Sequence, residues 1–172
     1  MEEQEIQSEL EAGKEFKELV FPKEYGMGRS FVGGDENGKR LRVKYFINKS
    51  NKQFCAKVFF GELAQGPPSH AHGGSMAAVL DEAMGLGAWA AGYSVVAAKI
   101  TVEYLKMLPL NSVVSVEVMV GRVEGRKVWM KASIINNDNS IISKSEGLYI
   151  IVPDDKLGNN DLHKKLMEQI VG

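Results

Sequence analysis

The chain holds a single cysteine, Cys55, in 172 residues. A disulfide within the chain is therefore excluded, and a reducing, cytoplasmic setting is expected. Cys55 lies inside the apolar run Gln53–Phe60, where a thiol reads as packing rather than as a nucleophile. Histidine is also scarce. His70 and His72 form an H-x-H pair, but the remaining histidine is His163 near the C-terminus, so no zinc site and no bound metal is expected. Charge of one sign is not in excess: the net charge is −1, and no basic stripe with interleaved aromatics marks a nucleic-acid partner. A membrane span is not expected either. The most apolar run, Ala83–Ala98, is short, carries glycines and directly follows Asp81 and Glu82. The acidic start, MEEQEIQSELEAGKEFKEL, lacks the basic-then-apolar order of a signal peptide.

What is present suits one folded domain, since 44% apolar residues suffice to close a core at this length. Residues 3–20 place Ile6, Leu10, Phe16, Leu19 and Val20 among Glu and Lys, which reads as an amphipathic helix interrupted at Gly13 and ended by Phe21-Pro22. The glycine-rich stretch Tyr25–Lys39 reads as loop. Strand alternation begins at Leu41 and returns at Phe54–Phe60 after an Asn-Lys-Ser-Asn turn. Pro67-Pro68 breaks the next stretch, and Gly73–Ala91 reads as a helix. Four Val- and Ile-rich runs follow, Val95–Lys106, Ser112–Val123, Lys127–Ile135 and Ile141–Val152, the last three separated by turn residues. A short helix near Asp161–Ile170, with Asp161 as N-cap, closes the chain. The expected organisation is an N-terminal extension (1–40), a main domain (41–152) and a C-terminal tail (153–172). One curved antiparallel sheet wrapped around the apolar helix is the natural packing of these elements.

That helix carries the chemistry. From Gly73 to Gly92 its only charged residues are Asp81 and Glu82, among Ala, Gly, Met, Leu, Val and Trp89. An apolar surface on every side predicts burial nearly all round, and a carboxylate there loses hydration unless it is paired. At the helix start, Gly73 and Gly74 carry no side chains, so a ligand can approach the first free N–H groups, which favour an anion or a developing oxyanion. Asp81 lies eight residues beyond Gly73, roughly 12 Å along one helix. A base and an oxyanion donor must both come within about 3 Å of the reacting group. One helix cannot do both jobs at one site, so two subunits with antiparallel helices about a two-fold axis are expected to share each site.

The run from Pro67-Pro68 through His72-Gly73-Gly74 to Leu80-Asp81-Glu82-Ala83, with Tyr104 and Pro109-Leu110 later, resembles the HGG…DEA signature of hotdog-fold thioesterases. The phenylacetate-pathway (PaaI-like) type and the related human thioesterase superfamily members are the nearest in pattern, over about residues 41–152. The resemblance implies an α+β hotdog fold, here with an added N-terminal helix, and hydrolysis of an acyl-CoA to free acid and CoA without a further cofactor. It implies a homodimer or a dimer of dimers. Gly73 would supply the N–H that polarises the thioester carbonyl and His72 would orient that loop. Asp81 of the facing subunit would act as general base or attack directly, with Glu82 the alternative carboxylate. Gly74, Gln65, Ala97, Ala98 and Met84 would line the substrate, together with Met76, Leu86 and Trp89. Relatives place a Ser or Thr where Ala97 and Ala98 stand, and Gly66 falls where some carry Asn or Gln. A non-catalytic acyl-CoA binder is the alternative. A hotdog dehydratase is disfavoured because its His-Phe-Pro motif is missing.

Overall fold

Hairpin turns organise the second half of the chain. The computed structural model describes residues 1–21, 30–33, 35, 37–157 and 160–171, without the side chains of 154, 155 and 160–163. Gly125 (φ +56°) turns β5 (Ser112–Glu124) into β6 (Lys127–Ile135). Asn139 (φ +63°) helps turn β6 into β7 (Ile141–Ile151). Both residue types tolerate the left-handed backbone that such tight connections require. β4 (Val95–Tyr104) pairs with β7, not with its chain neighbour β5. β2 (Leu41–Asn48) and β3 (Phe54–Phe60) complete the predicted strands.

The result is one seven-stranded antiparallel sheet in the order β1-β2-β3-β5-β6-β7-β4. Its extra strand, β1 (Phe16–Leu19), is a correction: the amphipathic helix expected over residues 3–20 is only α1 (Glu3–Glu9). The segment after Gly13 pairs with β2 because its backbone can join an existing ladder, whereas a short isolated helix is marginal. The expected helix end at Pro22 and much of the Tyr25–Lys39 loop, including Gly26-x-Gly28, lie outside the described residues.

α2 (Gly73–Ala90) lies across the inner face of the sheet. None of its residues from Met76 to Ala90 is exposed, as its apolar surface predicts. The approach is close: a Cβ at Gly87 would stand 2.7 Å from Val118 Cγ1. Beneath the helix, β7 presents the small row Ser143, Ser145 and Gly147 before Tyr149, all of them buried.

Two further helices close the fold. α1 packs on the opposite face, where Ile6 and Leu10 cluster with Phe59 and Val113. Glu3 pairs with Arg42 and Glu11 with Lys44 beside that cluster. α3 (Asn160–Val171) starts one residue before Asp161, which therefore sits inside the first turn rather than at the cap. It is not a loose tail. Leu166 (1% exposed) and Ile170 join the main core, and Gln169 exchanges two hydrogen bonds with the Val20 backbone. Leu166→Ala is expected to lower unfolding stability by about 2–4 kcal/mol, read as an earlier urea midpoint. An unchanged midpoint would mean that α3 contributes no packing.

Candidate active site

The loop that enters α2 is built on itself. Gln65 accepts the Ser69 N–H at 3.3 Å, and the His72 N–H donates to the Ala64 carbonyl at 2.7 Å. A Cβ at Gly66 would fall 2.7 Å from His72 Cα, so this loop packs directly onto the histidine. His72 is the N-cap, with extended backbone (φ −67°, ψ 135°), and its Nδ1 accepts the Gly74 N–H at 2.8 Å. That bond fixes Nδ1 as unprotonated and leaves Nε2 to carry the proton of the neutral ring. Ser75 Oγ donates to the His72 carbonyl, an acceptor that cannot take its proton as the base of a serine nucleophile must.

Four N–H groups open a helix, and here they are not equivalent. Gly74 is satisfied by the His72 ring, and Ser75 and Met76 by the His72 carbonyl. No acceptor for the Gly73 N–H is present among the described residues. Tyr104 Oη donates to the Gly73 carbonyl at 2.9 Å and holds this turn from the side. A Cβ at residue 73 would meet Tyr104 Cζ at 3.2 Å, so glycine is what lets the ring lie there. Beside Gly73 runs a mostly apolar groove of about 280 Å³, lined by Pro67, Met76, Tyr104, Leu105 and Met107 among others. A second groove of about 380 Å³ lies on the other flank of His72, between Phe31, Arg40, Leu63 and Gln65.

The two carboxylates of α2 diverge. Glu82 is fully engaged: Tyr45 donates to Oε1 in a short contact and Ser30 Oγ donates to Oε2 at 2.7 Å. Asp81 is engaged on one side only. Tyr149 Oη lies 2.7 Å from Oδ1 and 3.0 Å from the Asp81 carbonyl, and Oδ2 has no partner among the described residues. Burial, then the neighbouring carboxylates, push both phenols above the ordinary tyrosine range. Each hydroxyl therefore stays a donor at neutral pH.

The remaining predicted positions divide. Ala97 and Ala98 are exposed on β4, Ala97 directly opposite Tyr149 in the ladder. Ala98 is the extra residue of a bulge, since Ala97 pairs with Tyr149 and Lys99 with Leu148. Met84 is placed elsewhere: at 0% exposure it lies in the core near Gly147 and lines neither groove, whereas Met76 does border one. Cys55 is half-buried and burial pushes its thiol up to about 11, as a packing residue requires. No group of three or more metal-ligating side chains occurs among the described residues. Sequence reasoning missed Tyr149, Tyr45 and Ser30, whose contacts with α2 span at least 37 residues of chain.

Residues 69–142 match the family model described as Thioesterase superfamily. The chain carries a hotdog-fold domain of that superfamily. A curated relative, the acyl-coenzyme A thioesterase THEM4 of Rattus norvegicus, is 31% identical over 144 residues, 82% of this chain and 62% of that protein. The chain spans between 46% and 62% of the length of such relatives. Among solved structures, the thioesterase superfamily protein RHA08564 aligns with a TM-score of 0.60 at 27% identity, covering 63% of this chain and 53% of that one. A hypothetical thioesterase from Streptococcus pneumoniae TIGR4, solved with coenzyme A, shares the fold (TM-score 0.56, 18% identity, 58% and 81% covered). In the thioesterase-superfamily domain of this chain, the matched span includes His72, Gly73, Asp81 and Glu82. No helix is long and apolar enough to cross a membrane among the described residues.

Proposed function

We propose that the protein hydrolyses the thioester of an acyl-CoA. The observation that carries the reading is the contrast within α2: Asp81 keeps one free oxygen while both oxygens of Glu82 are taken. Asp81 is accordingly the base and Glu82 a brace between α2 and β2. The thioester carbonyl oxygen accepts the unpartnered Gly73 N–H at the positive end of the helix dipole. Asp81 removes a proton from water as its oxygen bonds to the carbonyl carbon. The tetrahedral oxyanion collapses, the C–S bond breaks, and the proton held by Asp81 passes to the departing thiolate. Free acid and CoA thiol result, and the chemistry needs no cofactor beyond the CoA of the substrate.

Because Gly73 and Asp81 are about 12 Å apart on one helix, the active unit is a homodimer in which Asp81 faces the partner subunit's Gly73. The edge of the sheet supports this arrangement. β4 is ten residues long, pairs on one side with β7, and has no second strand among the described residues. An unprotected edge of that length is a pairing surface. The CoA-bound relative supports the choice of thioester. The single half-buried cysteine suits the cytoplasm.

The test is thiol release from short, long and aryl acyl-CoAs by the purified protein. Release from at least one class at a kcat of order 1 s⁻¹ is expected. Binding of those substrates without release of thiol would replace the hydrolase with an acyl-CoA binder.

A further inference from the structure

The base needs an orienting group, and the strand opposite offers only alanine at 97 and 98. The hydroxyl comes from beneath. Tyr149 is 2% exposed, its ring lies in the core, and its Oη emerges at Asp81 Oδ1, 2.7 Å away. Gly147 leaves the space for that ring. A Cβ at Gly147, two residues earlier on the same face of β7, would stand 2.5 Å from Tyr149 Cε2. A Cβ at Gly85, one turn beyond Asp81, would touch Cε1 at 3.8 Å. The strand has thus given up a side chain at 147 where the phenol passes, while the helix at 85 comes within ordinary contact of the ring.

We propose that Tyr149 is the positioning residue of the Asp81 carboxylate, holding Oδ1 so that Oδ2 is presented to the attacking water. The inference rests on the hydrolase reading for its kinetic consequence, though not for the contact itself. The hydroxyl has one proton, shared between Oδ1 and the Asp81 carbonyl, so it restrains both the χ angles of the side chain and its height on the helix. Tyr149 touches no reacting atom. Its loss should lower turnover without changing how substrate is bound.

Two measurements test it. With 13Cζ-labelled tyrosine, the Tyr149 resonance, identified by its absence in Tyr149→Phe, is expected to move in Asp81→Ala and to stay in place in Glu82→Gln. A resonance indifferent to Asp81 overturns the proposal, whatever the protein's activity. In kinetics, Tyr149→Phe keeps the ring and should lower kcat about 10- to 100-fold with KM within about twofold. Ala97 faces Tyr149 across the β4–β7 ladder and so projects from the same face. Ala97→Ser in the Tyr149→Phe background should restore about tenfold of that loss by returning a hydroxyl to the carboxylate. Unchanged kcat in Tyr149→Phe, or a parallel loss of kcat and substrate affinity without rescue, overturns the positioning role. Wild type that releases no thiol would sink the hydrolase reading alone, while the resonance would still decide whether Tyr149 holds Asp81.

Discussion

Asp81→Asn is expected to lower thiol release about 100- to 10,000-fold while the fold and its melting temperature persist. The amide is isosteric and its oxygen can still accept the Tyr149 hydroxyl, so the phenol keeps a partner and no buried donor is orphaned. What is lost is a site that can take a proton from water. Glu82→Gln should behave in the opposite way. Its two oxygens accept from Tyr45 and Ser30, and an amide offers only one acceptor oxygen. Stability should fall by about 1 kcal/mol with turnover within a few-fold of wild type. Activity that survives Asp81→Asn and disappears with Glu82→Gln would move the chemistry one residue along and contradict the hydrogen-bond argument.

A second large effect is expected at Gly73, where one substitution can delete an N–H while sparing the helix. Proline is well tolerated at the first helical position, and His72 already has the extended backbone that precedes proline comfortably. Tyr104, half-exposed, must yield by a few tenths of an ångström. Gly73→Pro should reduce kcat about 100- to 1,000-fold, as loss of one oxyanion donor does elsewhere. The informative experiment co-expresses this variant with Asp81→Asn. If each site takes its base from one subunit and its N–H from the other, a mixed dimer has one doubly damaged site and one intact site. Random pairing then returns about a quarter of wild-type activity from two nearly inactive chains. Mixtures no more active than either parent would place base and N–H in the same subunit and remove the need for a dimer at the site.

The parts of the molecule legible in the sequence are those set by local pattern. Lys127–Ile135 was bounded by Glu124-Gly125 and by the asparagines before Ser140, and the strand runs between the same residues. Gly73–Ala91 was legible for its unbroken apolar and small residues, and the helix ends one residue short of that range. Phe16–Leu19 was not legible. Four residues with apolar ends fit a helical turn and a strand equally, and the pairing partner Tyr45–Asn48, some thirty residues away, decides between them. The site divided in the same way. His72, Gly73 and Asp81 form a linear motif that already sets Asp81 ahead of Glu82, whereas the hydroxyls that hold the two carboxylates come from β2, β7 and Ser30, far away in the chain. Met84 showed the limit of reading one helix alone, since its composition does not tell which side meets the sheet and which meets a groove.

At Ala98 the free rim of the sheet is out of step with itself. A newly made chain exposes that rim in a cell crowded with other extended segments. A foreign segment of regular spacing can zip against β4 on one side of Ala98 or on the other, and the added twist keeps it from doing both. The kink thus works as a guard: it breaks the most exposed margin of the sheet into two short stretches, so that a regular strand finds no long template there.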